Sequence, residues 1–263
     1  MKMIKPFLLS TVVAASLALY GCVNSPTGRQ QILLFSGTEM SQLGAQSFEE
    51  LKKQEKISTD KKTNAYVQCV TGVITARLAP QFNITQWEVV VFDSEQINAF
   101  ALPGGKIGVY SGLLKVAVNQ DQLATVIGHE IGHVMANHSN ERLSRSQLAN
   151  TGLQLSNVAL GGSEYKNIAM AGLGLGVQYG ILMPYGRAQE SESDTIGLTL
   201  MAEAGFDPRQ SVDLWVNMAK ASGGNKPPEL LSTHPSNATR IKNLKAQIAA
   251  LPASNVKRPN CKL

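Results

Sequence analysis

The sequence predicts an α+β fold, mainly helical, with one small antiparallel sheet. Three observations predict it. Apolar residues recur at three- and four-residue spacing through much of the chain, the pattern of helices that bury one face. Only three short apolar runs, all between residues 87 and 110, read as strands. The pentapeptide His129-Glu130-Ile131-Gly132-His133 falls inside one of the helical patterns and sets two imidazoles and a carboxylate one turn apart.

A chain of 263 residues with 43% apolar and 16% charged residues can bury a proper core, and one compact domain over residues 36–252 is expected. The formal charge of +5 is spread widely, and two of the positive residues, Lys2 and Lys5, lie at the extreme N-terminus. No cluster of Lys and Arg interleaves with aromatics, so no nucleic acid is expected as a partner.

Lys2 and Lys5 precede an apolar run from Phe7 to Tyr20 that is too short to span a bilayer comfortably, which reads as a secretory signal over residues 1–21. The run ends in Leu19-Tyr20-Gly21-Cys22. This resembles the lipobox of bacterial lipoproteins, where the signal is cut before Cys and the thiol carries the lipid, although Tyr20 is bulkier than the usual small residue. The competing reading is a plain signal peptide with an incidental Cys. Val23 in place of Asp favours, by the same resemblance, the outer membrane over the inner. With Cys22 as the lipidation site, Cys69 and Cys261 remain, and an oxidising compartment favours their pairing as a disulfide. The alternative is one buried thiol and one mobile one.

Residues 22–35 read as a short polar lipidated tether with Pro26 and Gly28. Ser36-Gly-Thr-Glu39 has the form of a helix start, and a long polar helix should run from it to about Gln54. A second helical pattern covers Thr63 to Leu78, with Val67, Val70, Ile74 and Leu78 on one face. The strands follow: Trp87 to Asp93, Ile97 to Leu102 and Lys106 to Tyr110, the last two joined by Pro103-Gly104-Gly105, which suits a tight hairpin. Asn119-x-x-Gln122 marks the next helix start, and Leu123, Val126, Ile127, Ile131, Val134 and Met135 form its buried stripe. At about 100 degrees per residue, His129 and His133 lie together off that stripe with Glu130 between the two faces.

Residues 144–184 are rich in Ala, Leu and Gly. The uncharged stretch from Ile168 to Met183 is short and broken by Gly, a poor membrane span, so a pair of packed or partly mobile helices near the site is expected. From Arg187 a helix should run to about Ala204, stopped by Gly205, with Asp207-Pro208 opening the next. A last helix follows His234-Pro235-Ser236, with Ile241, Leu244, Ile248 and Leu251 on one side, and residues 253–263 read as a loose tail.

Two histidines four residues apart on a helix can reach one zinc ion, and Glu130 can then face a bound water. Catalytic zinc takes three protein ligands, so a third must come from elsewhere. Downstream, His138 is read as lying on the same helix as His133, and His234 lies in a loop before Pro235. The stronger candidate is Glu190 in Arg187-Ala-Gln-Glu190-Ser-Glu-Ser-Asp194. Glu190 and Asp194 share a helix face, so one can bind metal while the other accepts a hydrogen bond from a ligand imidazole. Taken alone, that stretch would be a solvated charged face. Glu192 lies about 200 degrees around the helix from Glu190.

Four segments in order carry a resemblance: Asn98-Ala-Phe-Ala-Leu-Pro-Gly-Gly105 with Tyr110-Ser-Gly-Leu-Leu114, the His129 to His133 motif, Arg187-x-x-Glu190-x-x-x-Asp194, and His234-Pro235 with Arg240. The chain resembles the zinc metallopeptidases of the CAAX prenyl protease and HtpX type, metallopeptidase family forty-eight, most of all their bacterial lipoprotein branch and its mitochondrial Oma relatives. The resemblance implies a zincin-type metallopeptidase fold with one zinc per chain, Glu190 as third ligand and Asp194 supporting the site. Ser193 stands where the family usually has Ala, a change of small residue that fits the same helix packing.

Glu130 is then the general base, and by resemblance His234 in the His-Pro loop is the donor to the oxyanion. Two other readings of His234 remain: no catalytic part, or a cap on the open zinc position at rest. Asn98, Ala99 and Phe100 are the substrate-binding candidates, since a free strand edge can pair with an extended peptide. The expected function is hydrolysis of misfolded or unfolded envelope proteins at the periplasmic face of the outer membrane, with a lipid anchor. Outer-membrane assembly machinery or a regulatory lipoprotein is a candidate partner. The Gly-rich stretch before Arg187 is a candidate lid. The alternative is a chaperone-like assembly factor for outer-membrane proteins with a gated or silent metal site.

Overall fold

The structure, a computed structural model, describes residues 22–78, 82, 84, 86–159, 183–221, 230, 234, 238–252 and 255–263. The signal segment and the candidate lid lie outside them, apart from the last residues of the latter. In chain order the elements are β1 (Cys22–Asn24), β2 (Gln30–Ile32), α1 (Gly37–Gln54), α2 (Lys61–Thr75), β3 (Glu88–Phe92), β4 (Ala99–Leu102), β5 (Lys106–Tyr110), a 3-10 turn at Ser111–Lys115, α3 (Gln120–Met135), α4 (His138–Ala159), α5 (Met183–Glu203), α6 (Gln210–Ala221) and α7 (Ala238–Ala250). No described helix is long and apolar enough to cross a membrane.

Local chemistry sets the helix starts. Ser36 and Glu39 form a reciprocal capping box on α1. Asp60 accepts from the amides of Lys62 and Thr63, which starts α2 two residues before the expected point. Asn119 caps α3 in the same way through Asp121 and Gln122. α3 is buried on every side from Asp121 to His133, so the face carrying His129 and His133 lies inside the protein as deeply as the apolar stripe does.

The sheet is small, as expected, but mixed. Its order is β3-β5-β4, with β4 antiparallel to β5 across the Pro103-Gly104-Gly105 turn and β3 parallel to β5. Gly104 and Gly105 both take positive φ, the turn geometry that glycine tolerates. The chain doubles back from β3 into β4 with a gap between them, and β5 fills that gap. Gly108 on β5 makes the packing there possible, since a Cβ on it would come within 2.3 Å of the Phe100 ring. Phe48, Phe92, Phe100 and Tyr110 form an aromatic cluster at this end, with Phe92 and Phe100 stacked at 6.2 Å. β4 is an edge strand and packs against α3.

Two further strands occur in the stretch read as a polar tether: β1 and β2 pair antiparallel around a turn in which Ser25 N donates to Arg29 O at 2.8 Å. Three-residue strands carry too little alternation to announce themselves in sequence. The hairpin is docked, since Gln31 Nε2 donates to Ala136 O at 2.8 Å. The C-terminal tail is fastened too. Gln120 Nε2 donates to Pro259 O and Cys261 N donates to Gln120 Oε1, both at 2.8 Å, and Arg258 pairs with Asp121. Cys69 of α2 and Cys261 form a disulfide with Cα atoms 5.7 Å apart.

α3 is the centre of the core and α5 is its main neighbour. They cross at small residues: a Cβ on Gly197 would lie 2.8 Å from Gly128 C, and one on Gly132 would lie 2.8 Å from Ser193 O. Ser193 also donates its hydroxyl to His129 O. This close approach brings the acidic stretch of α5 against the two histidines of α3.

Candidate metal centre

His129, His133, Glu190 and His234 offer ligand atoms that all lie within 4.8 Å of one another. The two helix histidines point Nε2 at each other at 3.0 Å. Glu190 spans them, with Oε2 3.3 Å from His129 Nε2 and Oε1 3.4 Å from His133 Nε2. His234 closes the group, its Nδ1 3.0 Å from Glu190 Oε1 and 3.3 Å from His129 Nε2. Three imidazole nitrogens and a carboxylate oxygen make a donor set for a tetrahedral metal.

The chain's own charges prepare the site for a cation. Asp194, one turn after Glu190, lies 2.9 Å from His129 Nδ1, and a carboxylate can only accept there, so Nδ1 keeps a proton and Nε2 is the nitrogen turned toward the centre. Arg240 of α7 locks Asp194 with Nε to Oδ2 and Nη2 to Oδ1, both at 2.7 Å, and reaches Glu190 Oε2 with Nη1 at 3.1 Å. Its guanidinium stacks 4.0 Å from the centroid of the Trp215 ring. Burial and Arg240 act to lower the His129 pKa, yet hydrogen bonds to Asp194 and Glu190 carry it up to about 9. Burial acts to raise Glu190, but the three surrounding imidazoles hold it far below the ordinary carboxylate range. His133 is driven well below its usual value, chiefly by burial. The pocket thus holds an ionised Glu190 against a protonated His129, and a cation held among these side chains would take the place of the proton on His129 Nε2.

Glu130 is 3% exposed, and its Oε1 has no hydrogen-bond partner among the described residues. His234 Nε2 stands 3.5 Å from that oxygen. Glu130, His129, His234 and Asp194 line a cavity of about 10 Å³, close to the room of one water molecule. An unpartnered carboxylate oxygen beside such a cavity is placed to handle the proton of a water, and the donor set beside it is suited to a metal.

A family model, peptidase family M48, matches residues 56–248. The chain belongs to peptidase family M48. It is 37% identical over 167 residues to the mitochondrial metalloendopeptidase OMA1 of Saccharomyces cerevisiae, covering 60% of this chain and 46% of that protein. Against the mitochondrial metalloendopeptidase OMA1 of Homo sapiens it is 31% identical over 235 residues, 84% of this chain and 45% of the relative. The beta-barrel assembly-enhancing protease of Yersinia pestis is 33% identical over 166 residues, 60% of this chain and 33% of the relative. The chain spans less than half the length of each of these relatives.

The remaining candidate residues fall as follows. Asn98 precedes β4 and accepts from Tyr110 N through its carbonyl at 3.1 Å. Ala99 and Phe100 pair with Val109 and Gly108 of β5, which leaves the other backbone edge of β4 outside the three-stranded sheet. The Phe100 ring is committed to the aromatic cluster. Cys22 opens β1. Glu192 faces away from the four donors, toward His138 and Arg29.

His138 corrects the sequence reading. It is not on the helix of His133: α3 ends at Met135, Asn137 takes a φ of 54°, and α4 begins at His138. The bend turns its Nδ1 back onto His133 Nδ1 at 2.7 Å. All four histidines of the chain therefore sit in one cluster. Arg29, Glu141 and the part played by Glu192 were invisible in sequence, because their partners lie more than a hundred positions away or on other helices.

Proposed function

We propose that this chain is a zinc endopeptidase, exported, lipid-anchored through Cys22 at the outer membrane, and active on unfolded or misfolded envelope proteins. The observation that carries the reading is the convergence of His129, His133 and Glu190 beside an unpartnered Glu130 oxygen. Separations of 3.0 to 3.4 Å among these donors support zinc, because the edges of a zinc tetrahedron with N and O ligands are about 3.3–3.6 Å long. Held by His129, His133 and Glu190, a zinc ion would supply Lewis-acid polarisation of the scissile carbonyl and a more acidic water. Glu130 Oε1 takes the proton of the attacking water and passes it to the leaving amine nitrogen. Asp194, held by Arg240, keeps a proton of His129 on Nδ1, so that Nε2 is the nitrogen that would give up its proton to the ion. An extended peptide binds along the outer edge of β4 at Asn98, Ala99 and Phe100, displacing the bond that Ala99 N makes to Asn98 Oδ1 at 2.9 Å, and backbone pairing of this kind selects flexible segments more than a side-chain sequence.

Export is supported by the signal and lipobox pattern and by the Cys69–Cys261 disulfide, a bond of oxidising compartments. The envelope role draws support from similarity to a beta-barrel assembly-enhancing protease. Outer-membrane assembly machinery or a regulatory lipoprotein is the candidate partner.

His234 supports a second element of the reading. His129, His133, Glu190 and His234 would all hold the ion at rest, whereas catalysis would require one protein ligand to give way to water. His234 would be the side chain that yields and would then turn to the oxyanion, which makes the enzyme gated. The same observation favours the alternative of a chaperone-like assembly factor with a silent site.

The test measures cleavage of an unfolded envelope protein by the full mature chain and by Glu130→Gln, with zinc content determined for both. A loss of about a hundredfold or more in the variant at equal zinc content is expected. Equal cleavage by both would sink the mechanism, and a zinc-loaded but inactive wild type that binds clients would favour the assembly factor.

A further inference from the structure

We propose that Arg29 and Glu192 are positioning residues for the His133 ligand, acting through His138. The inference rests on the zinc reading of His133. A neutral ligand imidazole keeps its metal-facing nitrogen bare, so the other nitrogen carries the proton and needs an acceptor. His129 has Asp194 for this purpose. His133 instead has a second imidazole, His138, Nδ1 to Nδ1 at 2.7 Å.

Two neutral rings at that distance share one proton, and its side is decided one residue further out. His138 Nε2 lies 3.1 Å from Glu192 Oε2, and a carboxylate only accepts. His138 therefore carries its proton on Nε2 and presents a bare Nδ1. His133 must donate to it from Nδ1, and its own Nε2 is left bare toward Glu190 and His129.

Glu192 is held for this task by the N-terminal hairpin. Thr27 Oγ donates to Oε1 at 2.6 Å and Arg29 Nε donates to Oε2 at 2.7 Å. The outer nitrogens of Arg29 fork onto Glu141 at 2.9 and 2.8 Å, and Gln189 Nε2 donates to Glu141 Oε2 at 2.9 Å. His138 and Glu141 are buried, as is Glu192, so water does not compete for these acceptors. The hairpin that starts at Cys22 thus sets the tautomer of a ligand on α3. Docking of the N-terminus and metal affinity are coupled through Arg29, Glu192, His138 and His133.

The test uses the full-length protein. In the metal-free wild type, long-range 1H–15N spectra of the histidine rings should report Nδ1–H for His133 and Nε2–H for His138. Nε2–H on His133 overturns the proposal, whether or not any variant folds. Glu192→Leu and His138→Phe are expected to weaken zinc binding about 10–100-fold in a chelator competition, and Arg29→Gln about 3–10-fold. Glu192→Leu should also move the His133 proton to Nε2. Zinc binding by Glu192→Leu within about twofold of wild type overturns the proposal, as does weakened binding with the His133 tautomer unchanged. A wild type that binds no zinc overturns the metal reading and this proposal together, while the variant results bear on this proposal alone.

Discussion

Gly197 of α5 lies so close to Gly128 of α3 that a Cβ added to it would sit 2.8 Å from the Gly128 carbonyl carbon and 2.8 Å from the His129 amide nitrogen. That approach is what holds Glu190, two turns earlier on α5, against His129 and His133. Gly197→Ala forces the two backbones apart, because no flexible side chain is there to yield. The variant should lose about 1–3 kcal/mol of stability and bind zinc more weakly. Thermal unfolding and chelator titration measure the two effects, and a protein unchanged in both would show that the helix spacing does not control the site.

Asp194→Asn tests the other ligand support. The amide can offer His129 Nδ1 an oxygen but no charge, and it leaves both Nε and Nη2 of Arg240 without an anionic partner at this position. Zinc affinity should fall about 10–100-fold while the disulfide and helical content stay intact. Circular dichroism with competitive zinc titration separates the two, and full affinity would remove Asp194 from the account.

The disulfide closes a loop of 192 positions between α2 and the C-terminus. Cys69→Ser should lower stability by about 2–4 kcal/mol, seen as a drop of roughly 5–15 °C in Tm. Because Cys261 N also bonds Gln120 at the start of α3, the variant should lose protection from hydrogen exchange first at residues 255–263. An unchanged Tm would mean that Gln120 and Arg258 hold the tail by themselves.

Acid should weaken the metal-free protein through His138. Burial, against the pull of Glu192, lowers its pKa from 6.5 to about 4. Between those values the unfolded chain binds a proton that the folded protein refuses, so stability is lost as pH falls through 6.5 and the loss levels off near 4. Urea unfolding from pH 7 to 4 should show the decline, to which His133, also held below its usual value, adds, and His138→Phe should make it shallower. The same slope in the variant would assign the decline to other groups.

Much of this was legible in sequence because it is local. Ser36 with Glu39 and Asn119 with Gln122 mark helix starts through hydrogen bonds that span three residues. The alternation around β3 to β5 marks strands, and the His129 to His133 spacing places two donors on one helix face. The parallel pairing of β3 with β5 was not legible, since strand order depends on which strand fills a gap, and the apolar pattern of each strand is the same either way. The short β1–β2 hairpin was missed because its stability comes from docking on α3 and α4 through Gln31 and Leu34. The place of His138 turned on a single positive φ at Asn137, which no periodicity reports.

By itself, the sequence determined the helix registers, the strand segments, the paired histidines with their carboxylate and the two cysteines free to pair. Each of these follows from backbone periodicity and side-chain chemistry within a few residues. Only the tertiary structure decided that Glu190 and His234 meet the same point as His129 and His133, and that Arg29 reaches across 163 positions to Glu192, which adjoins His138 and through it His133. Those contacts exist because α3 and α5 cross at glycines and because a hairpin docks beside them. Packing of that kind is a property of the whole core, and no local pattern encodes it.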